Sequence, residues 1–156
     1  MGRPLGTMSG MPSLTPGDGQ DLLARLKTAT ERRDVDLAVA LFREDAEYRP
    51  DPFMDPSVGS NAIREALNTE AAERANVEFD AERIWISGSA VLASWHGAHT
   101  KRADGERVRS RGFLTLELDD ERLIGRLRGW TLSRAIGRDS SLSVDRSAET
   151  GGTHGG

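Results

Sequence analysis

Asp45-Ala46-Glu47-Tyr48-Arg49-Pro50-Asp51-Pro52-Phe53-Met54-Asp55-Pro56, followed by Ser57-Val58-Gly59-Ser60 and Asn61-Ala62-Ile63-Arg64-Glu65-Ala66-Leu67, is the stretch on which the fold turns. Tyr48 begins a short strand. Pro50, Pro52 and Pro56 keep the next segment out of helix interiors and central strands, because proline lacks a backbone N–H and fixes φ. Ser60 caps a helix whose buried face is Ile63, Ala66 and Leu67. A strand, a proline-rich turn and a capped helix thus separate a helical part of the chain from an extended one.

On the N-terminal side, Asp18 is placed to cap a first helix with Leu22, Leu23, Leu26 and Ala29 along one face. Asp34 caps a second, in which Ala38, Leu41 and Phe42 continue the apolar stripe. After Asn76 the period changes to alternation. Strands are expected at Val77–Ile86, Ala90–Thr100, Arg107–Leu118 and Leu123–Ser133. They are joined at Ser87-Gly88, at Asp104-Gly105 and at Asp119-Asp120-Glu121, with Asp104-Gly105 the signature of a type I′ hairpin turn. Successive hairpins give an antiparallel sheet, and the helices must cover one of its faces, so the class is α+β. Residues 1–17 read as a flexible Gly/Pro-rich leader, 18–134 as one domain, and 135–156 as a disordered polar tail.

Composition narrows the function classes. A chain of 156 residues with 37% hydrophobic residues suits one domain with a real core. The net charge of −4, with both signs well mixed, gives no reason to expect nucleic acid. There is no cysteine, which excludes disulfides, thiolate nucleophiles and Cys-ligated zinc. No run approaches a membrane span and no apolar secretory core is present near Met1, so a cytoplasmic protein without a membrane role is the expectation. Nucleotide loops, the Gly-x-Ser-x-Gly elbow and His-Glu-x-x-His are absent.

The order and spacing of four pieces resemble the SnoaL-like branch of the nuclear transport factor 2-like superfamily. They are the acidic turn Arg33-Asp34-Val35-Asp36, the strand from Tyr48 to Pro52, the helix start from Gly59 to Leu67, and the last hairpin. The resemblance runs from about Asp21 to Ser133. It implies an NTF2-like cone, with three N-terminal helices packed on a strongly curved, mainly antiparallel sheet around one pocket. It implies that Tyr48 and Asp51 stand near the mouth of that pocket. It further implies a small apolar ligand, either for a cofactor-free isomerase, cyclase or hydratase-type enzyme or for a non-catalytic binding domain. Pairing into a homodimer through the outer sheet face is implied as well.

The chain departs from the catalytic patterns of these relatives. Thr131 or Leu132 stands where SnoaL-type cyclases carry an acid on the last strand. Arg109-Ser110-Arg111 has the Arg but not the Asp of the limonene-epoxide-hydrolase relay. Tyr48 and Asp51 match the residue types of ketosteroid isomerases, without a second acid at an inner strand position.

Candidate site residues follow from chemistry and strand parity. Asp51 is a base if apolar walls raise its pKa, or the cap of a turn between two prolines. Tyr48 is a donor to a developing oxyanion, or a core residue with its hydroxyl at the rim. His96 and His99 point to opposite faces of one strand and cannot chelate one ion, so no metal site is expected. If Leu114, Leu116 and Leu118 mark the core face, Trp95 and His99 point toward the pocket, and His99 becomes a proton-transfer or hydrogen-bonding group. Phe53, Trp95, Phe113 and Trp130 are the aromatic candidates for ligand contact, and Trp130 also suits the outer, dimer-forming face. The basic hairpin at Lys101, Arg102, Arg107, Arg109 and Arg111 reads as a charged solvent face.

Overall fold

Thr15, not Asp18, caps the first helix. The structure, a computed structural model, describes residues 13–138. Helix α1 (Pro16–Arg32) opens with a capping box: the Thr15 hydroxyl accepts from the Asp18 N–H at 3.1 Å, and the Asp18 carboxylate accepts from the Thr15 N–H at 2.8 Å. Proline is favoured at the first helical position, which draws the start ahead of Asp18. Leu14, just before the cap, is buried in the core. The helix ends at Arg33, in the left-handed region with φ 53°.

Asp34 caps α2 (Val35–Val39) as expected, accepting from the Leu37 N–H at 3.0 Å. Leu41 and Phe42 do not continue that helix. Strand β1 (Phe42–Arg49) begins at Phe42, well ahead of Tyr48. Strand β2 (Ser57–Val58) returns antiparallel to it, and α3 (Ser60–Glu73) follows. Its N-cap is Gly59, at φ 91°, while the Ser60 hydroxyl turns to the Glu44 carbonyl at 3.4 Å. A positive φ at the cap is open to glycine, which explains why Ser60 is displaced from that role.

The remaining chain forms β3 (Arg74–Ser87), β4 (Ala90–Lys101), β5 (Glu106–Leu118) and β6 (Ile124–Arg138). All six strands lie in one curled sheet in the order β2-β1-β6-β5-β4-β3. Only β1–β6 is parallel; the other pairs are antiparallel. The α+β class therefore holds, but the three helices do not all precede the sheet, because β1 and β2 separate α2 from α3. The Asp104-Gly105 turn is also not type I′. It is the loop Arg102–Gly105, where Gly105 alone has positive φ (73°) and its N–H bonds the Lys101 carbonyl at 2.8 Å. Of the expected leader and tail, residues 1–12 and 139–156 lie outside the described residues, whereas β6 continues through Ala135 to Arg138.

Register fixes which side chains share the concave face. Val91, Ala93, Trp95, Gly97 and His99 on β4 stand opposite Leu116, Leu114, Gly112, Ser110 and Val108 on β5. The curl needs bare positions there. A Cβ on Gly97 would lie 2.4 Å from the Glu78 carbonyl oxygen, and one on Gly112 would lie 2.0 Å from that of Trp130. Register shifts in β3, between Ala75 and Glu78 and between Ala81 and Arg83, bend its edge further.

The core lies between α1, α3 and this face, with Ile63, Val91, Leu116 and Ile124 fully buried. Each such side chain contributes roughly 1.5–3 kcal/mol through burial. The free edge at β3 is covered from α1: Glu31 accepts from the Phe79 N–H at 2.9 Å, and Lys27 donates to the Phe79 carbonyl at 3.0 Å. Two side chains thus occupy the groups an intruding strand would pair with. Among the described residues, no helix is long and apolar enough to cross a membrane.

Candidate functional site

The concave face, the helices and the turn after β1 line a partly open cavity of about 630 Å³. That is a volume suited to a small organic molecule. Phe42, Phe79, Trp95, Leu114 and Leu127 supply much of its apolar lining. A few polar groups interrupt that surface.

Strand β1 delivers Tyr48, whose ring packs edge-on against Phe42 with centroids 5.9 Å apart. Its hydroxyl donates to Glu70 Oε2 at 2.8 Å. Glu70 stands on α3, two turns beyond Ile63, on the buried face of the helix. Burial raises the Glu70 carboxyl above its ordinary range, an effect opposed by the Tyr48 hydroxyl and the Arg74 charge and reinforced by Glu73. Burial first, and the Glu70 charge next, push the Tyr48 phenol well up. Tyr48 therefore stays protonated and donates, while the carboxylate becomes a stronger base than a solvated one.

His99 faces the same cavity from β4. Burial, then the charges of Arg74, Arg107 and Lys101, lower its pKa to about 4. Its imidazole is neutral at neutral pH, with one nitrogen able to donate and the other to accept. Across β5 and β6, the Ser110 and Ser133 hydroxyls share a 2.8 Å hydrogen bond and also line the cavity. Trp95 packs against Phe79 with ring centroids 5.3 Å apart, and its indole Nε1 is buried without a hydrogen-bond partner.

The residues expected from sequence separate into two groups. Tyr48, Asp51, Trp95 and His99 all line the cavity. Asp51, however, is exposed, and its carboxylate accepts from the Phe53 N–H at 2.9 Å, which is the turn-cap geometry. Phe53 is 97% exposed and outside the lining. Phe113 and Trp130 are also outside it: they face each other across β5 and β6 on the convex side, where Phe113 stacks on Trp85 at 5.9 Å. Arg111 lies on that side too, 3.4 Å from Glu82, with no register shift at Gly112 to turn it inward.

His96 likewise faces outward, 2.9 Å from Glu82. Among the described residues, no group of three or more His, Asp or Glu is arranged to hold a metal ion. The basic hairpin is engaged with the protein itself: Lys101 with Glu106, Arg102 with the Arg74 carbonyl, and Arg107 with Glu78.

Sequence reasoning missed Glu70. The signal was present, since the buried stripe Ile63, Ala66, Leu67 leads at helical spacing to position 70, where a carboxylate occupies a core-facing place.

Residues 23–125, more than half of the chain, match the SnoaL-like domain family, and the protein belongs to that family. No curated protein sequence matches it. Solved structures share its fold at low identity. The epoxide hydrolase/cyclase-like enzyme SalBIII, of pyran ring formation in the polyether salinomycin, is 20% identical with a TM-score of 0.69, over 77% of this chain and 97% of that one. An LEH-like epoxide hydrolase of Mycobacterium tuberculosis is 21% identical with a TM-score of 0.63, over 74% and 84%. RV0760c of the same organism is 14% identical with a TM-score of 0.67, over 78% and 99%.

Proposed function

We propose that the protein is an enzyme that moves a proton on a small, mostly apolar molecule held in the cavity. Glu70 is the base, Tyr48 holds and orients its carboxylate, and His99 is a neutral hydrogen-bonding partner for a developing oxyanion. The observation that carries this reading is the Tyr48–Glu70 hydrogen bond inside a largely apolar cavity. A carboxylate with a raised pKa, fixed by one donor, is what general-base chemistry near neutral pH requires. The base role thereby passes from Asp51 to Glu70. The chemistry calls on no cofactor, and isomerisation, cyclisation and hydration are all open to it.

The experiment is native mass spectrometry of the purified protein, then denaturing release of anything bound. The released compound, or a set of cyclic ketones and epoxides, is next incubated in D2O and followed by NMR. Wild type is expected to label or convert the compound and Glu70→Gln to do so at least a hundredfold more slowly. Equal rates in the two proteins would remove the proton-transfer role and leave a ligand-binding domain.

The exposed aromatic surface on the convex face supports a second element of the proposal, a homodimer. Trp85, Phe113 and Trp130 are 41–47% exposed and Leu132 is 81% exposed. Such a contiguous apolar surface suits an interface better than solvent.

A further inference from the structure

Two arginines line the cavity, and they are not equivalent. Arg33 directs its Nη1 to the carbonyls of Arg74 and Ala71, at 2.9 and 3.3 Å. Arg74 is half-buried, and among the described residues no carboxylate lies within 4.0 Å of its guanidinium. The nearby cations are engaged elsewhere, Lys101 with Glu106 at 3.6 Å and Arg107 with Glu78 at 2.8 Å. Most lining acids are engaged too. Glu78 meets Arg107, Asp34 caps α2, Asp51 caps its turn, Glu70 accepts from Tyr48, and Glu73 is exposed.

The backbone of Arg74 is held from two sides. It stands where α3 becomes β3, with φ −126° and ψ 151°, and its carbonyl accepts from both Arg33 and Arg102. It lines the same cavity as Tyr48, Glu70 and His99, and its charge acts on all three.

We propose that Arg74 is an anion anchor, and that the ligand is an apolar molecule bearing one carboxylate, its body packed against Phe79, Trp95 and Leu114. A guanidinium offers a planar fork that a carboxylate accepts at both oxygens, and partial burial strengthens that pairing. The inference rests on reading the cavity as a ligand site. It also adds to the mechanism: a bound carboxylate offsets the Arg74 field, so Glu70 and His99 both become more basic, and the base moves closer to the working pH.

The test compares 3-phenylpropanoate with its neutral amide by calorimetry, and follows His99 by NMR titration, on wild type, Arg74→Gln and Arg74→Lys. Wild type is expected to prefer the carboxylate by about ten- to a hundredfold. Arg74→Gln should lose that preference while keeping the weak amide affinity, and Arg74→Lys should keep part of it. The His99 pKa should rise with the carboxylate and not with the amide. Equal wild-type affinity for both probes would overturn the anchor and leave the cavity reading standing. Binding of neither would overturn both, and an unchanged preference in Arg74→Gln would remove Arg74 itself. Should Arg74→Gln not fold, the wild-type comparison and the His99 shift decide the matter.

Discussion

The Tyr48 hydroxyl reaches Glu70 across the junction of β1 and α3, at 2.8 Å, and through it the strand holds the helix's single core-facing carboxylate. The bond satisfies the hydroxyl of a buried core residue but holds a carboxylate away from water. A buried carboxylate costs more in lost hydration than one hydrogen bond returns. That cost is what the proposed role of Glu70 as a base entails.

That cost makes the effect of substitution on stability run opposite to its effect on activity. The folded-state pKa of Glu70 is raised, so its contribution is complete below the unfolded value near 4.5 and is lost as pH rises through the folded value. Glu70→Gln removes that loss and keeps an acceptor for Tyr48. At pH 7 its urea midpoint should equal or exceed that of wild type while turnover collapses. Tyr48→Phe leaves the carboxylate without its donor and should cost about 1–3 kcal/mol. A Glu70→Gln protein clearly less stable than wild type would show the carboxylate to be a structural ion instead.

His99 gives the opposite pH signature. Its folded pKa, about 4, lies below the ordinary 6.5. Its contribution is therefore present above pH 6.5 and is lost as pH falls toward 4. Stability measured by urea unfolding should decline across that window, and His99→Asn should flatten this part of the profile. The His99 imidazole resonances should titrate near pH 4; titration near 6.5 would mean that it is solvated and not facing the cavity.

Much of this was legible in the sequence, and the misses share a cause. Alternation after Asn76 located four long strands, and parity put Trp95 and His99 on the concave face with Leu114, because period and register are local properties. The start of β1 at Phe42 was hidden, since Phe42 also fits the helical stripe from Ala38. Asp51 and Phe53 drew attention by residue type, but their turn carries them toward solvent, and only tertiary structure reveals that. Glu70, Ser110 and Arg74 are ordinary residues on a helix, a strand and a junction. They line one cavity only when β1 and α3 are folded against the sheet.

The curl that closes the cavity depends on Gly112. Its missing side chain allows the Trp130 carbonyl to approach, and a Cβ would also come within 3.1 Å of Trp95 Nε1. Gly112→Ala must push apart the backbones of β5 and β6, at a cost of about 3 kcal/mol. Gly125 is the control, because a Cβ there meets only the mobile end of Arg43, at 3.3 Å. Chemical denaturation should show a large loss for Gly112→Ala and a small one for Gly125→Ala. Similar values for the two would mean that the sheet is less tightly bent than its register indicates.

The convex face supplies the last prediction. Phe113 pairs with Trp130 across β5 and β6, Trp85 stacks on Phe113, and Arg83 lies 6.0 Å over the Trp85 ring. Leu132 extends the surface along β6. Paired copies would desolvate these rings at their centre and leave the arginines at the rim, which is how stable interfaces are built. Sedimentation equilibrium at micromolar concentration should therefore give a dimer. Trp130→Lys, which places a charge at the centre without touching the cavity, should weaken it at least a hundredfold while leaving the thermal unfolding of the monomer nearly unchanged. A monomeric wild type at that concentration would assign the aromatic face to some other partner.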